Sequence, residues 1–152
     1  MKGWTMHFNG LREQQELGGW IEKSRAKGYV ERELYRLKRY GSPVTIGMFR
    51  SEDPRFEEKF HRHSRQTDHL VPLAKGHYLF LYDHTELPGA FKAAENLMIH
   101  LDRDREGTKS RVALMQLQPE DELEEAIKRL LTLFVIASQS EQCIVDESVL
   151  AR

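Results

Sequence analysis

The sequence predicts an α+β domain in which a mixed sheet carries helices on its faces. Five short apolar stretches have the length of strands, and segments with helical spacing of apolar residues separate most of them. Two of these strands, at residues 70–73 and 78–82, are joined by a tight turn. A hairpin in the middle of the chain disfavours a sheet built only from parallel βαβ units. The length of 152 residues suits one domain with a single core.

The composition restricts the class of protein. A hydrophobic fraction of 39% beside a charged fraction of 31% is typical of a globular chain and not of a disordered one. The net charge of -1 argues against bulk binding to DNA or RNA. No apolar run reaches the roughly 18 residues of a membrane span, and the first residues lack a secretory signal, so we expect a cytoplasmic protein. The single cysteine, Cys143, allows neither a disulfide nor a cysteine-based metal site within the chain.

The chain begins with a predicted irregular lead-in at residues 1–10, which show no periodicity. Residues 11–40 then have helical spacing of apolar side chains. A glycine in a helix interior costs about 1 kcal/mol, so we expect a break near residues 18–19 or near Gly28. The sequence Gly41-Ser42-Pro43 ends this helical segment, because glycine suits the position after a helix and proline prevents its continuation.

The elements up to the hairpin follow from local patterns. Residues 44–49 are apolar and come directly after Pro43, which predicts a buried strand. Residues 55–67 are polar with sparse apolar positions and predict one short helix. The hairpin over residues 70–82 comes next.

Four further segments complete the chain. Residues 87–101 have the strong apolar stripe of a helix, and residues 102–110 form a predicted charged loop. Residues 112–117 predict a strand. A last helix is predicted to start at Pro119, since proline suits a first helical turn. Residues 142–146 predict a final edge strand.

Four stretches in this order are similar to a known family. Residues 33–43 resemble a helix end with an Arg-Tyr-Gly-x-Pro turn, and residues 44–49 resemble the first strand of that family. Residues 67–97 resemble its signature hairpin and next helix, and residues 112–123 resemble a later strand and the start of the last helix. The family is the GGDEF domain, the diguanylate cyclase module of bacterial signalling.

The resemblance implies a nucleotidyl-cyclase-like fold with a central mixed five-stranded sheet flanked by helices. It covers roughly residues 30–147. We therefore expect residues 1–28 to form an N-terminal helical extension and residues 29–152 to form a degenerate GGDEF-like domain. In the family such a leading helix commonly links to a neighbouring domain or a dimer mate. A protein partner or a homodimer through this helix is therefore expected.

The resemblance also implies that catalysis is lost. The Gly-Gly-Asp/Glu-Glu-Phe tip of the family falls on Ala74, Lys75, Gly76, His77 and Tyr78. Cyclisation needs a close backbone approach and a carboxylate that holds Mg²⁺. The metal-binding Asp of the family falls near Arg50, whose positive charge would repel the metal. We therefore predict no cyclase activity, no catalytic residue, no metal site and no cofactor.

One ligand motif of the family is present. Arg65 and Asp68 form the Arg-x-x-Asp set, which in the family is the inhibitory site that binds cyclic di-GMP (c-di-GMP) as a stacked dimer. An arginine fork suits guanine O6 and N7 or a phosphate, and a carboxylate can accept from guanine N1 and N2. Arg62 lies three residues before Arg65, on the same face if this segment is helical, where it could bind the phosphates. The sequence leaves open whether Asp68 faces a ligand or pairs with an arginine.

The sequence leaves three functions open. The first is a c-di-GMP receptor that signals through protein contacts. The second is a dimerisation or scaffold module without a nucleotide, since an Arg-x-x-Asp spacing alone is common in surface ion pairs. The third is residual GTP binding at the altered tip.

The histidines raise a metal hypothesis that we weigh and reject. They crowd one region of the chain at His61, His63, His69, His77 and His84. Metal ligands must converge from fixed spacings, and no histidine–carboxylate spacing of a known site is present. Solvent-exposed surface histidines are the favoured interpretation.

Overall fold

A computed structural model describes residues 2–101 and 109–151 of the chain. Its helices are α1 (Lys2–Lys23), α2 (Ala26–Tyr40), α3 (Phe56–Arg62), α4 (Leu87–Leu101) and α5 (Leu123–Gln139), and a 3₁₀ helix follows at Glu147–Ala151. Its strands are β1 (Val44–Arg50), β2 (His69–Pro72), β3 (His77–Asp83), β4 (Arg111–Gln116) and β5 (Ile144–Asp146). Residues 102–108 of the predicted charged loop lie outside the described residues.

The five strands form one sheet in the order β2-β3-β1-β4-β5. Strands β2, β3, β1 and β4 pair antiparallel, while β4 and β5 pair parallel. Helix α5 connects β4 to β5, because a parallel pair needs a crossover connection. The predicted mixed five-stranded sheet is confirmed.

Two hydrophobic cores lie on opposite faces of this sheet. Ile46 and Met48 of β1 pack in the core that α1, α2 and α5 cover. Phe49, which alternates with them along the strand, packs in the core that α3 and α4 cover. The strand β1 is therefore buried on both faces, as its continuous apolar run predicts.

Helix α1 begins at Lys2, so the predicted irregular lead-in at residues 1–10 is wrong. The helix lies along α5 at close distance. A side chain at Gly10 would place its Cβ 2.9 Å from Val135 Cγ1, so glycine permits this approach. Leu17 and Ile21 are fully buried in the core of the domain. Helix α1 therefore packs along α5 and into the core of the domain.

The break in the N-terminal helical segment lies at Ser24 and Arg25, three residues before Gly28, near which a break was predicted. Ser24 Oγ donates to the Ile21 carbonyl oxygen at 2.9 Å and accepts from the Ala26 backbone N–H at 3.1 Å. This side chain thus satisfies backbone groups on both sides of the break. The boundary expected after residue 28 consequently falls inside α2.

Two other helix boundaries differ from the predictions. Helix α3 ends at Arg62 instead of continuing to residue 67. Helix α5 begins at Leu123, and Pro119 lies in the turn before it. Asp121 Oδ2 accepts the Gln118 backbone N–H at 2.7 Å, so this turn replaces the predicted first helical turn.

Within residues 2–101 and 109–151, no helix combines the length and the apolar character needed to cross a membrane.

Candidate ligand-binding site

A pocket of about 610 Å³ opens where the segment before β2, the end of β3 and the start of α4 meet. The pocket wall consists of Pro43, His63, Ser64, Arg65, Asp68, Tyr82, His84, Thr85, Glu86, Pro88, Gly89 and Ala93. The fold brings these segments together because β2 and β3 pair antiparallel, with His69 opposite Leu81. The volume lies within the usual range of about 300–1,000 Å³ for ligand pockets.

Arg65 is held at one corner of its guanidinium group. Its Nη2 donates to the Asp83 carbonyl oxygen at 2.6 Å and to Thr85 Oγ1. The side chain is 57% exposed at the pocket wall. Its Nε and Nη1 form no hydrogen bond within the described ranges. These remaining N–H groups can donate to a planar or anionic acceptor in the pocket.

Asp68 lies beneath Arg65 and is only 4% exposed. Its Oδ2 accepts the Arg65 backbone N–H at 2.8 Å, and its Oδ1 accepts the Asp83 backbone N–H at 3.3 Å. Burial raises the pKa of the Asp68 carboxyl group, and these backbone donors oppose that shift. Asp68 Oδ1 also lies 3.8 Å from Arg65 Nη2, so Asp68 pairs with an arginine and holds the backbone of this loop in place.

Asp83 connects this pocket to α2. Its side chain is 5% exposed, and its Oδ2 lies 3.4 Å from Arg36 Nη1. The same Arg36 nitrogen lies 3.3 Å from Oε1 of Glu33, which is 4% exposed. Burial first, and the neighbouring Asp83 charge second, raise the pKa of Glu33. Two carboxyl groups therefore share one guanidinium group beneath the pocket.

We expect Glu33→Gln to stabilise the protein at neutral pH. The raised pKa means that the native state binds more protons than the unfolded state, so ionisation of Glu33 opposes folding. Stability is lost as the pH rises from the ordinary glutamate pKa through the higher native pKa. Removing the charge should raise the free energy of unfolding by on the order of 1 kcal/mol at pH 7. Urea denaturation of both proteins between pH 4 and pH 7.5 measures this effect. A variant that is less stable at pH 7 would contradict it.

Sequence reasoning missed His63, His84 and Thr85 on the pocket wall. His84 has a φ of 51°, a left-handed conformation that is uncommon for a residue other than glycine and that recurs at functional sites. The register of the hairpin could have found His84 and Thr85, since the residues after β3 must lie beside those before β2.

Arg62 does not reach the pocket wall. It pairs with Glu58 at 2.5 Å and is 56% exposed at the end of α3. Because α3 ends at Arg62, the predicted shared helical face with Arg65 does not exist. Arg65 instead follows a turn that points its side chain toward β3.

The hairpin tip has the shape that the sequence predicts. Lys75 and Gly76 have φ values of 51° and 77°, and the His77 N–H donates to the Ala74 carbonyl oxygen at 3.0 Å. These features are typical of a type I′ turn. A Cβ at Gly76 would lie 2.6 Å from the Ser51 carbonyl oxygen, so only glycine fits against the end of β1.

The tip side chains of β3 are engaged in packing. The His77 ring lies 5.2 Å from that of Trp20 in α1 and 5.6 Å from that of Phe134 in α5. Burial lowers the pKa of His77. The Tyr78 ring stacks on Phe56 at 4.3 Å. Helices on both faces of the sheet therefore cover the tip.

A second, smaller cavity of about 280 Å³ lies between α1 and the tip. Its wall consists of Arg12, Glu13, Glu16, Trp20, Arg50, Lys75 and His77. The resemblance places the metal-binding Asp of the family near Arg50, which shares this wall with Arg12 and Lys75 but also with Glu13 and Glu16. Among the described residues, no group of three or more His, Cys, Asp or Glu side chains could hold a metal ion.

Comparison with solved structures identifies the architecture. The GGDEF domain of DgcB from Caulobacter crescentus, in complex with c-di-GMP, matches with a TM-score of 0.68 at 5% identity, over 80% of this chain and 88% of that chain. The protein has the GGDEF fold. The GGDEF domain of FimX from Pseudomonas aeruginosa matches with a TM-score of 0.66 at 8% identity, over 79% of this chain and 90% of that chain.

A third similar structure is the diguanylate cyclase SiaD in complex with its activator SiaC, from Pseudomonas aeruginosa. Its TM-score is 0.64 at 14% identity, over 77% of this chain and 54% of that chain. No family model and no curated protein matches the sequence. The likeness to these structures is therefore one of fold.

Proposed function

We propose that this protein is a catalytically inactive GGDEF-like domain that binds c-di-GMP and signals through protein contacts. The ligand binds in the pocket whose wall includes Arg65, Asp68 and Thr85, here called the Arg65 pocket. The observation that carries the proposal is the Arg65 guanidinium group, held by the end of β3 with its remaining donors at a pocket of about 610 Å³. Its free Nε–H and Nη1–H groups can donate to guanine O6 or N7 or to a phosphate. The c-di-GMP complex of the similarly folded DgcB domain supports the choice of ligand.

The start of α4 adds a second feature that favours an anion. Pro88 and Gly89, in the first turn of α4, line the pocket. The amino end of a helix carries a partial positive charge, which favours phosphate groups nearby. A ligand with guanine bases and phosphodiesters would therefore meet Arg65 on one wall of the pocket and the amino end of α4 on another.

Calorimetry with c-di-GMP on the wild type and on Arg65→Ala tests this function. Hydrogen bonds to a charged group contribute about 1.5–3 kcal/mol, so the variant should bind at least about tenfold more weakly. Arg32→Ala, an exposed arginine on α2, is the matched control and should bind like the wild type. No heat from the wild type at saturating ligand, or unchanged affinity in Arg65→Ala, overturns the proposal.

Three features of the tip support the loss of catalysis. Gly76 and His77 stand where the resemblance places carboxylates, and Arg50 stands near the metal position. His77 packs against Trp20, and the Gly76 carbonyl oxygen accepts the Ser51 N–H, so both tip residues already have partners within the domain. Incubation with GTP and Mg²⁺ should yield no c-di-GMP, and detection of that product by chromatography would refute this part of the proposal.

A second candidate function is a docking or dimerisation module that needs no nucleotide. The observation that favours it is the outer side of α2, where Tyr35 and Tyr40 are 59% and 68% exposed. Arg39 lies over the Tyr40 ring at 5.6 Å. Tyrosine and arginine are enriched in protein interfaces. A partner that co-purifies without c-di-GMP, and is lost in Tyr35→Ala/Tyr40→Ala, distinguishes this function from the first.

A further inference from the structure

Two carboxylates, Asp68 and Glu86, line the Arg65 pocket and could accept hydrogen bonds from guanine. Guanine presents an N1–H and an N2–H₂ group on one edge, and a carboxylate can accept from both at once. The resemblance assigns this role to Asp68. Asp68 is 4% exposed, however, and each of its oxygens already accepts a backbone N–H. Asp68 lines the pocket, but these two backbone donors and Arg65 Nη2, 3.8 Å from Asp68 Oδ1, already hold its carboxylate group.

Glu86 is the other carboxylate on the pocket wall. It is exposed, and it forms no salt bridge within residues 2–101 and 109–151. It directly follows Thr85, whose Oγ1 accepts from Arg65 Nη2. Its carbonyl oxygen accepts the Ala90 N–H at 3.0 Å, so its backbone is fixed at the start of α4. The Glu86 side chain is therefore exposed to the pocket, whereas its backbone is fixed. This backbone directly follows Thr85, the residue that binds Arg65.

We propose that Glu86, and not Asp68, accepts the N1 and N2 donors of guanine and makes this site specific for guanine. The inference rests on the proposed function and deepens it. Arg65 binds the O6 and N7 side of the base, and Glu86 binds the N1 and N2 side. Adenine carries no proton on N1 and an amino group in place of O6, so it mismatches both residues. Asp68 serves only to shape the loop that carries Arg65.

Cyclic dinucleotides that differ by single groups test this assignment on the full chain. Cyclic di-inosine monophosphate keeps O6, N7 and N1–H but lacks the 2-amino group. We expect the wild type to bind c-di-GMP about tenfold more tightly than this analogue, since one matched polar contact contributes about 1–3 kcal/mol of discrimination. Glu86→Ala should lower the affinity for c-di-GMP and bring the ratio between the two ligands close to one.

The control variants separate recognition from structure. Glu95→Ala removes another exposed carboxylate from α4 and should keep the wild-type ratio. Thermal melting checks that each variant is folded. A Glu86→Ala protein that keeps the full preference for c-di-GMP overturns the assignment, while c-di-GMP binding itself stands. Failure of the wild type to bind c-di-GMP overturns both proposals.

Discussion

Replacing Gly47 by alanine should lower the free energy of unfolding by about 3 kcal/mol, because overpacking a rigid core has costs of this order. Gly47 lies in the middle of β1, opposite Phe80 of β3 and Leu114 of β4. A Cβ at this position would lie 2.5 Å from the Ala113 carbonyl oxygen and would overlap the Phe80 ring. Phe80 is fully buried, and the carbonyl belongs to the backbone of a paired strand. Neither neighbour can move without disturbing the sheet.

Chemical denaturation followed by circular dichroism measures this loss. Gly19→Ala is the matched control, because a Cβ at Gly19 in α1 would meet no atom within 4 Å. The same chemical change should there stabilise the protein by up to about 1 kcal/mol, as expected for a helix interior. Equal denaturation midpoints for Gly47→Ala and the wild type would show that β1 does not pack as described.

Asp68→Ala should destabilise the protein by about 2–4 kcal/mol, since each buried group left without a partner costs about 1–3 kcal/mol. The variant leaves the backbone N–H groups of Arg65 and Asp83 without their acceptor. Both groups lie at the entrance to the hairpin, so their loss should also loosen the loop that orients the Arg65 side chain. Urea denaturation of the two proteins at pH 7 gives the difference.

Asp68→Asn distinguishes a structural role from a ligand contact. The amide keeps one acceptor oxygen at nearly the same position, so this variant should recover a large part of the lost stability. A variant Asp68→Ala that is as stable as the wild type would contradict the structural role. It would return this carboxylate to the list of possible ligand contacts.

The features that the sequence predicted well are those fixed by neighbouring residues. The hairpin follows from Lys75-Gly76 between two apolar runs, because left-handed conformations are needed at both positions. The strand β1 follows from Pro43 and the apolar run after it. The order of strands and helices then limited the sheet to a mixed type, and the described structure confirms it.

The features that could not be predicted depend on contacts between distant parts of the chain. The close approach of α1 to α5 at Gly10 joins residues that lie more than one hundred positions apart in the sequence. The hydrogen bonding of the Asp68 carboxylate depends on the Asp83 backbone N–H across the hairpin. Nothing in the sequence distinguishes Glu33 from an ordinary exposed helix residue. The structure buries it, and the nearby Asp83 carboxylate helps to raise its pKa. The motif around Arg65 lies on a pocket wall in the structure, but the contacts of Arg65 and Asp68 there involve residues distant in the sequence.

The two edge strands of the sheet disfavour association by strand addition. The edge strands β2 and β5 have only four and three residues. Pro72 ends β2 and has no backbone N–H to offer another strand. Short edges that contain proline are poor templates for strand addition or for amyloid-like stacking. Association with another molecule by strand addition at β2 or β5 is therefore disfavoured.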